Sequence, residues 1–254
     1  MEPVPFGGDF EPMEVEGLWC LRSTLLLGAA RVRHAFTTRR ARLGHPDPLA
    51  NPAIRARVLA GLGFDPHRAV ALTQRHTARV VVAEGKDAGR PLGVADGVVT
   101  AVPGVVLSVR TSDCLPVLLA DPLAGVVAAV HAGWRGLAGG ILRRAVEAMV
   151  ARGARADRVT GAVGPSVGPC CYEVDAPVVA ALEPWVEEAL EPTRPGHWKL
   201  DLREVARAQL REAGVSWDRV SLCPACTACH AEWFFSYRRD GRVGRMESLI
   251  AMGP

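Results

Sequence analysis

Between residues 69 and 130 the chain carries five short apolar runs rich in valine, at 69–73, 79–83, 105–110, 117–120 and 126–130. Gly, Pro or Asp directly bounds the last three, at Gly104, Pro116, Asp121 and Gly125, and lies two or three positions outside the first two, at Pro66 and Gly85. Short β-branched runs between turn residues have the pattern of strands buried on both faces. The spacing therefore predicts a central sheet built from these five segments.

Helical periodicity covers 52–62, 141–152, 177–190 and 202–213, the last starting after Asp201 as an N-cap and stopping before Gly214. Downstream, 234–237, the Asp240, Gly241 pair and 246–251 predict a closing β-hairpin with the DG pair as its turn. Strands interrupted by helices and closed by a hairpin imply an α/β (α+β) fold, with a mixed central β-sheet flanked by helices. There is no internal repeat, low-complexity tract or long Pro/Gly/Ser-rich linker, so residues 1–254 are expected to form a single domain. Within it, residues 1–16 are expected to be an irregular N-terminal segment.

Composition narrows the function. Hydrophobic residues make up 49% and charged residues 22%, which supports a folded core and excludes a disordered or fibrous chain. Thirty basic residues against 27 acidic ones leave a formal net charge of +3, too balanced for a nucleic-acid or membrane-surface footprint. The expected partner is a small molecule, bound by a monomer or small homo-oligomer. Apolar stretches stop well short of the roughly 18–20 residues of a bilayer span. The start MEPVPFGGDFEPMEVEG has neither the basic nor the apolar region of a secretory signal, so a cytoplasmic location is expected. Seven cysteines, three of them in one short segment, read as thiols or metal ligands rather than a disulfide framework. Lys86 and Lys199 are the only lysines, and Asn51, Gln74 and Gln209 the only carboxamides. A thermophilic origin and a GC-rich genome explain that bias equally well.

Three segments each put one soft or borderline metal ligand at a strand end or in the adjoining loop: QRHTARVVV with His76, SVRTSDCLPVLLAD with Cys114, and VVAAVHAGWRG with His131. Thiolate and imidazole suit Zn²⁺ or copper, and three protein ligands with an open position are the composition of a catalytic zinc site. Cys114 and His131 flank a strand pair turned at 121–125, so antiparallel pairing would bring them together. No such register argument places His76. Cys114 follows the polar run Thr111, Ser112, Asp113, and His131 opens the glycine-containing turn AGWRG. Taken singly, each residue also fits a plainer role, as a small buried hydrophobe or a satisfied core histidine.

The motifs ADGVVT (95–100), TSDCLPVLLAD (111–121), HAGWRG (131–136), GPSVGPCCYEV (164–174) and FFSYRRDGRVGR (234–245) together resemble the multicopper polyphenol oxidase-like, or laccase-domain, family. Its members are described as purine nucleoside phosphorylases, and the likeness runs from about residue 33 to residue 251. The resemblance implies a mixed-sheet fold of cysteine-hydrolase-like type. It also implies a metal site of His76, Cys114 and His131 holding Zn²⁺, with copper also compatible. The implied activity is phosphorolysis of adenosine, inosine, guanosine or 5′-methylthioadenosine to free base and ribose 1-phosphate, together with adenosine deamination. The partners are then a purine nucleoside and phosphate, with no nucleic acid and no membrane.

Under that resemblance Cys114, His131 and Asp113 take catalytic roles, Asp113 orienting a histidine through its second ring nitrogen. A zinc ion that lowers a bound water's pKa toward about 7 suits attack at purine C6. Phosphorolysis needs cations for phosphate, and guanidinium forks match its oxygens. Arg39, Gln74, Arg135 and Arg239 are the expected substrate or phosphate contacts, with Arg238 and Arg245 as further candidates and Tyr172 near the base. Two departures stand out. The connection RARLGHPDPLANP after Arg39 is shorter than in relatives, and Arg75, His76, Thr77 stand where relatives carry Val-His-Gly.

CPACTACH places Cys223, Cys226, Cys229 and His230 within one short segment. It fits a haem c attachment pattern, part of a ferredoxin ligand run or a structural zinc site. The missing export signal, the missing fourth cysteine before Pro, and the lack of two separated ligand pairs count against these in turn. The family pattern matches Cys226 and Thr227, which favours a scaffold role, and Cys170 with Cys171 reads as loop packing beside the pocket. Other functional readings are a copper-dependent polyphenol oxidoreductase, a metal-free cysteine hydrolase with Cys114 as nucleophile and His131 as base, and a binding or cell-wall-editing protein. The first needs many histidines, and this chain has seven, with His34, His45, His67 and His197 in ordinary contexts.

Overall fold

All seven residues of Leu115–Asp121 and all seven of Val126–Ala132 are buried in the computed structural model, which describes residues 6–43, 47–241 and 244–253. A strand buried on both faces needs cover on each, and side chains that alternate every second residue divide the two covers. Leu115, Val117 and Leu119 share one core with Val126, Ala128, Val130 and two helices. Leu118, Ala120, Val127 and Ala129 face a second core shared with another sheet.

These strands are the centre of a six-stranded mixed sheet, ordered Val220–Leu222, Thr160–Val163, Leu115–Asp121, Val126–Ala132, Gly97–Thr100, Val80–Val82. The two outermost pairs are parallel and the inner three antiparallel. Facing it is an antiparallel five-stranded sheet, ordered Phe10–Val15, Leu18–Ser23, Val32–Ala41, Met246–Met252, Leu107–Thr111. A three-stranded sheet (Glu173–Asp175, His197–Leu200, Leu190–Arg194) and a parallel pair (Ala71–Thr73, Pro91–Val94) complete the β structure of the described residues.

Helices Ile141–Val150 and Leu202–Glu212 cover the outer face of the six-stranded sheet. The first buries Ile141, Leu142, Ala145, Val146 and Met149, one stripe of a 3.6-residue period. The second starts where the Asp201 carboxylate accepts a hydrogen bond from the Arg203 amide and ends just before Gly214, whose φ is +84°. The layers are thus sheet, sheet and helices. Among the described residues no helix is long and apolar enough to cross a membrane.

All five valine-rich runs contain strands, but they are shared among three sheets rather than one. Leu107–Thr111 belongs to the five-stranded sheet and Ala71–Thr73 to the small parallel pair. Periodicity identifies a strand without naming its neighbour. The closing hairpin is replaced by something else. Ser236 Oγ accepts from the Arg239 amide at 3.2 Å and caps a single turn, Tyr237–Asp240, while Met246–Met252 inserts between Val32–Ala41 and Leu107–Thr111. Its seven residues are all buried, and a central position in a sheet satisfies both edges of such a strand. The expected helix 177–190 shortens to Ala176–Ala181, because Pro184 cannot donate to a continuing helix and a 3₁₀ turn, Glu183–Trp185, follows instead. The segment 1–16 is not irregular throughout. Phe10–Val15 pairs with Leu18–Ser23 across Glu16 and Gly17, whose φ values of +51° and +77° form a two-residue hairpin turn. Residues 1–5 lie outside the described residues, as do 44–46 of the connection expected to be shortened.

Candidate active site

Antiparallel register assembles the site at one end of the six-stranded sheet. Val130 lies opposite Gly97 and Ala132 opposite Leu115, so Asp96, Cys114 and His131 meet where the three strands begin or end. His131 has the parity of Val127 and Ala129, and it continues their row just beyond the core. His76 arrives on the loop between Ala71–Thr73 and Val80–Val82. The ligand atoms of His76, Cys114 and His131 lie within 4.8 Å of one another, and the two imidazoles meet edge to face at 4.9 Å.

Asp96, which the sequence did not single out, organises the group. Its fully buried carboxylate accepts from the amides of Arg75, His76 and Thr77 at 3.2, 3.0 and 2.7 Å, from Thr77 Oγ1 at 2.7 Å, and lies 2.8 Å from His131 Nδ1. Burial alone would raise its pKa, but the hydrogen bonds from His131 and Thr77 hold the carboxyl well below the usual carboxylate range. Three successive amides around one carboxylate also sustain His76 at φ +59°, a left-handed conformation uncommon for a residue other than glycine. Asp113, at φ +89°, is a second strained position beside the cysteine. The sequence signal for Asp96 was an acidic residue directly before an otherwise apolar strand, GVVT.

Burial by itself would raise the Cys114 thiol, yet His131 and His76 outweigh it and pull its pKa down, favouring thiolate. Burial would lower the His131 pKa, and Asp96 and Cys114 together raise it. With Nδ1 engaged by Asp96, His131 presents Nε2 to the sulfur. Two imidazoles and a thiolate, with one histidine oriented by a carboxylate, are the donor set and the supporting contact of a zinc or copper centre, so these residues fit a metal ion. Gly133 passes close overhead: a Cβ there would stand 3.0 Å from both Cys114 Sγ and His76 Cδ2.

The centre opens into a cavity of about 830 Å³ whose walls include Trp134, Tyr172, Arg110, Arg135, Arg238 and Arg245. Arg135 stacks on Trp134 at 4.2 Å and Arg238 on Tyr172 at 5.1 Å. Burial, and the negative charge of Cys114, push the Tyr172 phenol up to about 12, so it stays a protonated donor. Arg110 was not anticipated. Its Nε is buried without a hydrogen-bond partner among the described residues, and its backbone N–H and C=O are clasped by Gln74 at 2.8 Å each.

Several expected contacts lie elsewhere. The Arg39 guanidinium sits over the Phe235 ring at 4.8 Å and 3.9 Å from Asp240, away from the cavity wall. Arg239 donates to the carbonyls of Thr227, Ala228 and Phe234 and to Asp240, so its donors tie the turn Tyr237–Asp240 to the neighbouring loop instead of facing substrate. Among the described residues Asp113 contacts no histidine, and the contact to His131 belongs to Asp96. Its carboxylate accepts from Thr227 Oγ1 at 2.5 Å and the Arg238 amide at 2.6 Å, which positions Arg238 at the cavity. Gln74 lines the cavity, but its amide is engaged with Arg110. In the CPACTACH segment, Cys223 is buried in the inter-sheet core and His230 lies 3.7 Å from Glu232, so neither joins Cys226 and Cys229.

A β-sandwich with one helical face and a His–His–Cys centre at a strand end defines the class, and the comparisons agree with it. A profile of the family described as multi-copper polyphenol oxidoreductase laccase matches residues 47–253, and the chain belongs to that family. It is 41% identical to a purine nucleoside phosphorylase of Deinococcus radiodurans, over 94% of this chain and 95% of the other. It is 43% identical to a purine nucleoside phosphorylase of Streptomyces coelicolor, over 80% and 83%. The crystal structure of YlmD from Geobacillus stearothermophilus superposes with a TM-score of 0.87 at 30% identity, covering 99% of this chain and all of that one.

Proposed function

We propose that the chain is a zinc-dependent purine nucleoside phosphorylase, acting on adenosine, inosine, guanosine or 5′-methylthioadenosine, with an accompanying adenosine deaminase activity. The observation that carries this reading is the convergence of His76, Cys114 and His131 on a cavity walled by four arginines, in a chain whose relatives are named purine nucleoside phosphorylases. A volume of about 830 Å³ lies within the usual range for small-molecule sites.

In phosphorolysis a phosphate oxygen bonds to ribose C1′ as the C1′–N9 bond breaks, and the bonding pair leaves with the purine, which takes up a proton. Arg135, Arg238, Arg245 and Arg110 supply the charge that holds phosphate and steadies it through the transition state. Trp134 and Tyr172 offer aromatic surface to the base, and the protonated Tyr172 hydroxyl is a donor for a purine ring nitrogen. His76, Cys114 and His131 would hold the cation, which when bound supplies Lewis acidity for the departing base or for water at C6. Asp96 keeps His131 in the tautomer that ligation requires.

The test is direct. The purified, zinc-loaded protein is incubated with each nucleoside, with and without phosphate, and free base, ribose 1-phosphate and inosine are quantified. Phosphate-dependent release of base and ribose 1-phosphate is expected, and no turnover of any of the four overturns the reading. The lowered Cys114 thiol beside His131 also favours a second reading, a metal-free cysteine hydrolase. Activity that survives exhaustive chelation yet disappears in Cys114→Ala would select it.

A further inference from the structure

Four more thiols converge at the corner of the six-stranded sheet next to the cavity. Thr160–Val163 and Val220–Leu222 run parallel with Val163 opposite Leu222, so both leave the sheet at the same end. A bridge between Ser166 and Cys226 keeps the two outgoing loops side by side. One loop carries the vicinal pair Cys170, Cys171, and the other carries Cys226 and Cys229 in C-x-x-C spacing. Two ligand pairs contributed by separate loops are the arrangement of structural zinc sites. Sequence spacing hides it here because 54 residues separate the pairs: Cys171 and Cys226 are 55 positions apart.

The four sulfurs lie within 4.8 Å of one another, with Cys229 Sγ 3.5 Å from Cys170 Sγ and 3.4 Å from Cys171 Sγ. A disulfide needs about 2.05 Å. Sulfurs placed tetrahedrally at about 2.3 Å from zinc stand about 3.8 Å apart, close to the spacing found. The surroundings suit a group of net charge about −2. The Gly168 amide donates to Cys226 Sγ at 3.2 Å, Lys199 Nζ donates to the Cys170 carbonyl at 2.9 Å, and Arg203 reaches the Pro224 carbonyl at 3.4 Å.

We propose that Cys170, Cys171, Cys226 and Cys229 form a second, structural zinc site, separate from His76, Cys114 and His131. On binding, each thiol releases its proton to solvent and donates a sulfur lone pair, with no change of oxidation state. The cation clamps two loops that shape the cavity wall. Val167 and Tyr172 come from one loop, while Thr227, which holds Asp113, comes from the other.

The test uses the purified full chain. Elemental analysis is expected to find two zinc ions per chain in the wild type, one in Cys170→Ser and Cys229→Ser, and one in His76→Ala. In cobalt-loaded protein the intense thiolate-to-metal charge-transfer band is expected to persist in Cys114→Ser and to collapse in Cys229→Ser. A wild-type protein that holds only one zinc, or a zinc count left unchanged by Cys229→Ser, overturns the proposal, as does a disulfide among the four cysteines in protein purified under reducing conditions. Should the serine variants fail to fold, wild-type protein titrated with cobalt decides by band intensity: four thiolates on one ion support the site, and one thiolate per ion overturns it.

Discussion

Asp96 Oδ1 lies 2.8 Å from His131 Nδ1, and the same carboxylate holds the backbone amides on both sides of His76. One buried side chain thus sets the tautomer of one histidine and the backbone angle of the other. Replacing it disturbs two of the three candidate metal-binding side chains without substituting either. Asp96→Asn is expected to weaken zinc affinity by about 10- to 100-fold, the usual cost of losing a ligand's supporting carboxylate. Competition against a chromogenic chelator measures it, and an unchanged affinity would remove Asp96 from this role.

Gly133→Ala tests the tightness of the centre. The new methyl would stand 3.0 Å from Cys114 Sγ and His76 Cδ2, closer than ordinary contact. Gly133 has φ −76°, so the backbone accepts alanine without strain. The expected outcome is loss of zinc and turnover, with a thermal midpoint lowered by only a few degrees. Metal analysis beside a melting curve separates the two effects.

Arginines at the cavity and arginines tied to backbone should behave differently. Arg245→Ala is expected to raise KM for phosphate about 10- to 100-fold, as expected for loss of a charged hydrogen bond, and to leave stability nearly unchanged. Arg239→Lys should do the reverse, because a lysine cannot reach the carbonyls of Thr227, Ala228 and Phe234 together. Phosphate saturation curves and urea unfolding of both variants check the contrast.

His34 provides a pH dependence away from the active site. Its Nε2 accepts from the Ser23 amide at 2.8 Å, and burial, with a smaller contribution from Arg22, lowers its pKa to about 4. The unfolded chain, at about 6.5, binds this proton first, so stability falls as pH drops from 6.5 toward 4 and is unaffected by this group above that window. The loss at pH 4 is of order 3 kcal/mol. Urea midpoints across this range should fall more steeply for wild type than for His34→Gln, and parallel curves would count against it.

Local chemistry was legible where one segment decides the outcome. The valine-rich runs, the cap at Asp201 and the stop before Gly214 depend only on nearby residues, and the strand pair turned at 121–125 has the expected antiparallel register, with Ala132 opposite Leu115. The scarce carboxamides are similarly local in cause but not in partner. Asn51 caps its own helix, whereas Gln74 clasps the backbone of Arg110 and Gln209 reaches the Leu137 carbonyl. Arginines were the least legible. Arg238 and Arg239 are neighbours in sequence, yet Arg238 lines the cavity with one donor on the Glu173 carbonyl, whereas Arg239 is held by three carbonyls and Asp240 away from it.

The amino-acid order alone determined that the valine-rich runs form strands, that 141–150 and 202–212 form helices, and which side chains have metal-binding chemistry, since propensity, periodicity and donor type belong to the chain itself. Only the folded molecule decided that Met246–Met252 lies between two distant strands, that Asp96 rather than Asp113 orients His131, and that Cys170 and Cys171 join Cys226 and Cys229. Each of those depends on pairing between segments remote in sequence. Hydrogen bonds and contacts across such gaps are chosen by the packing of the whole core, and no local pattern encodes that choice.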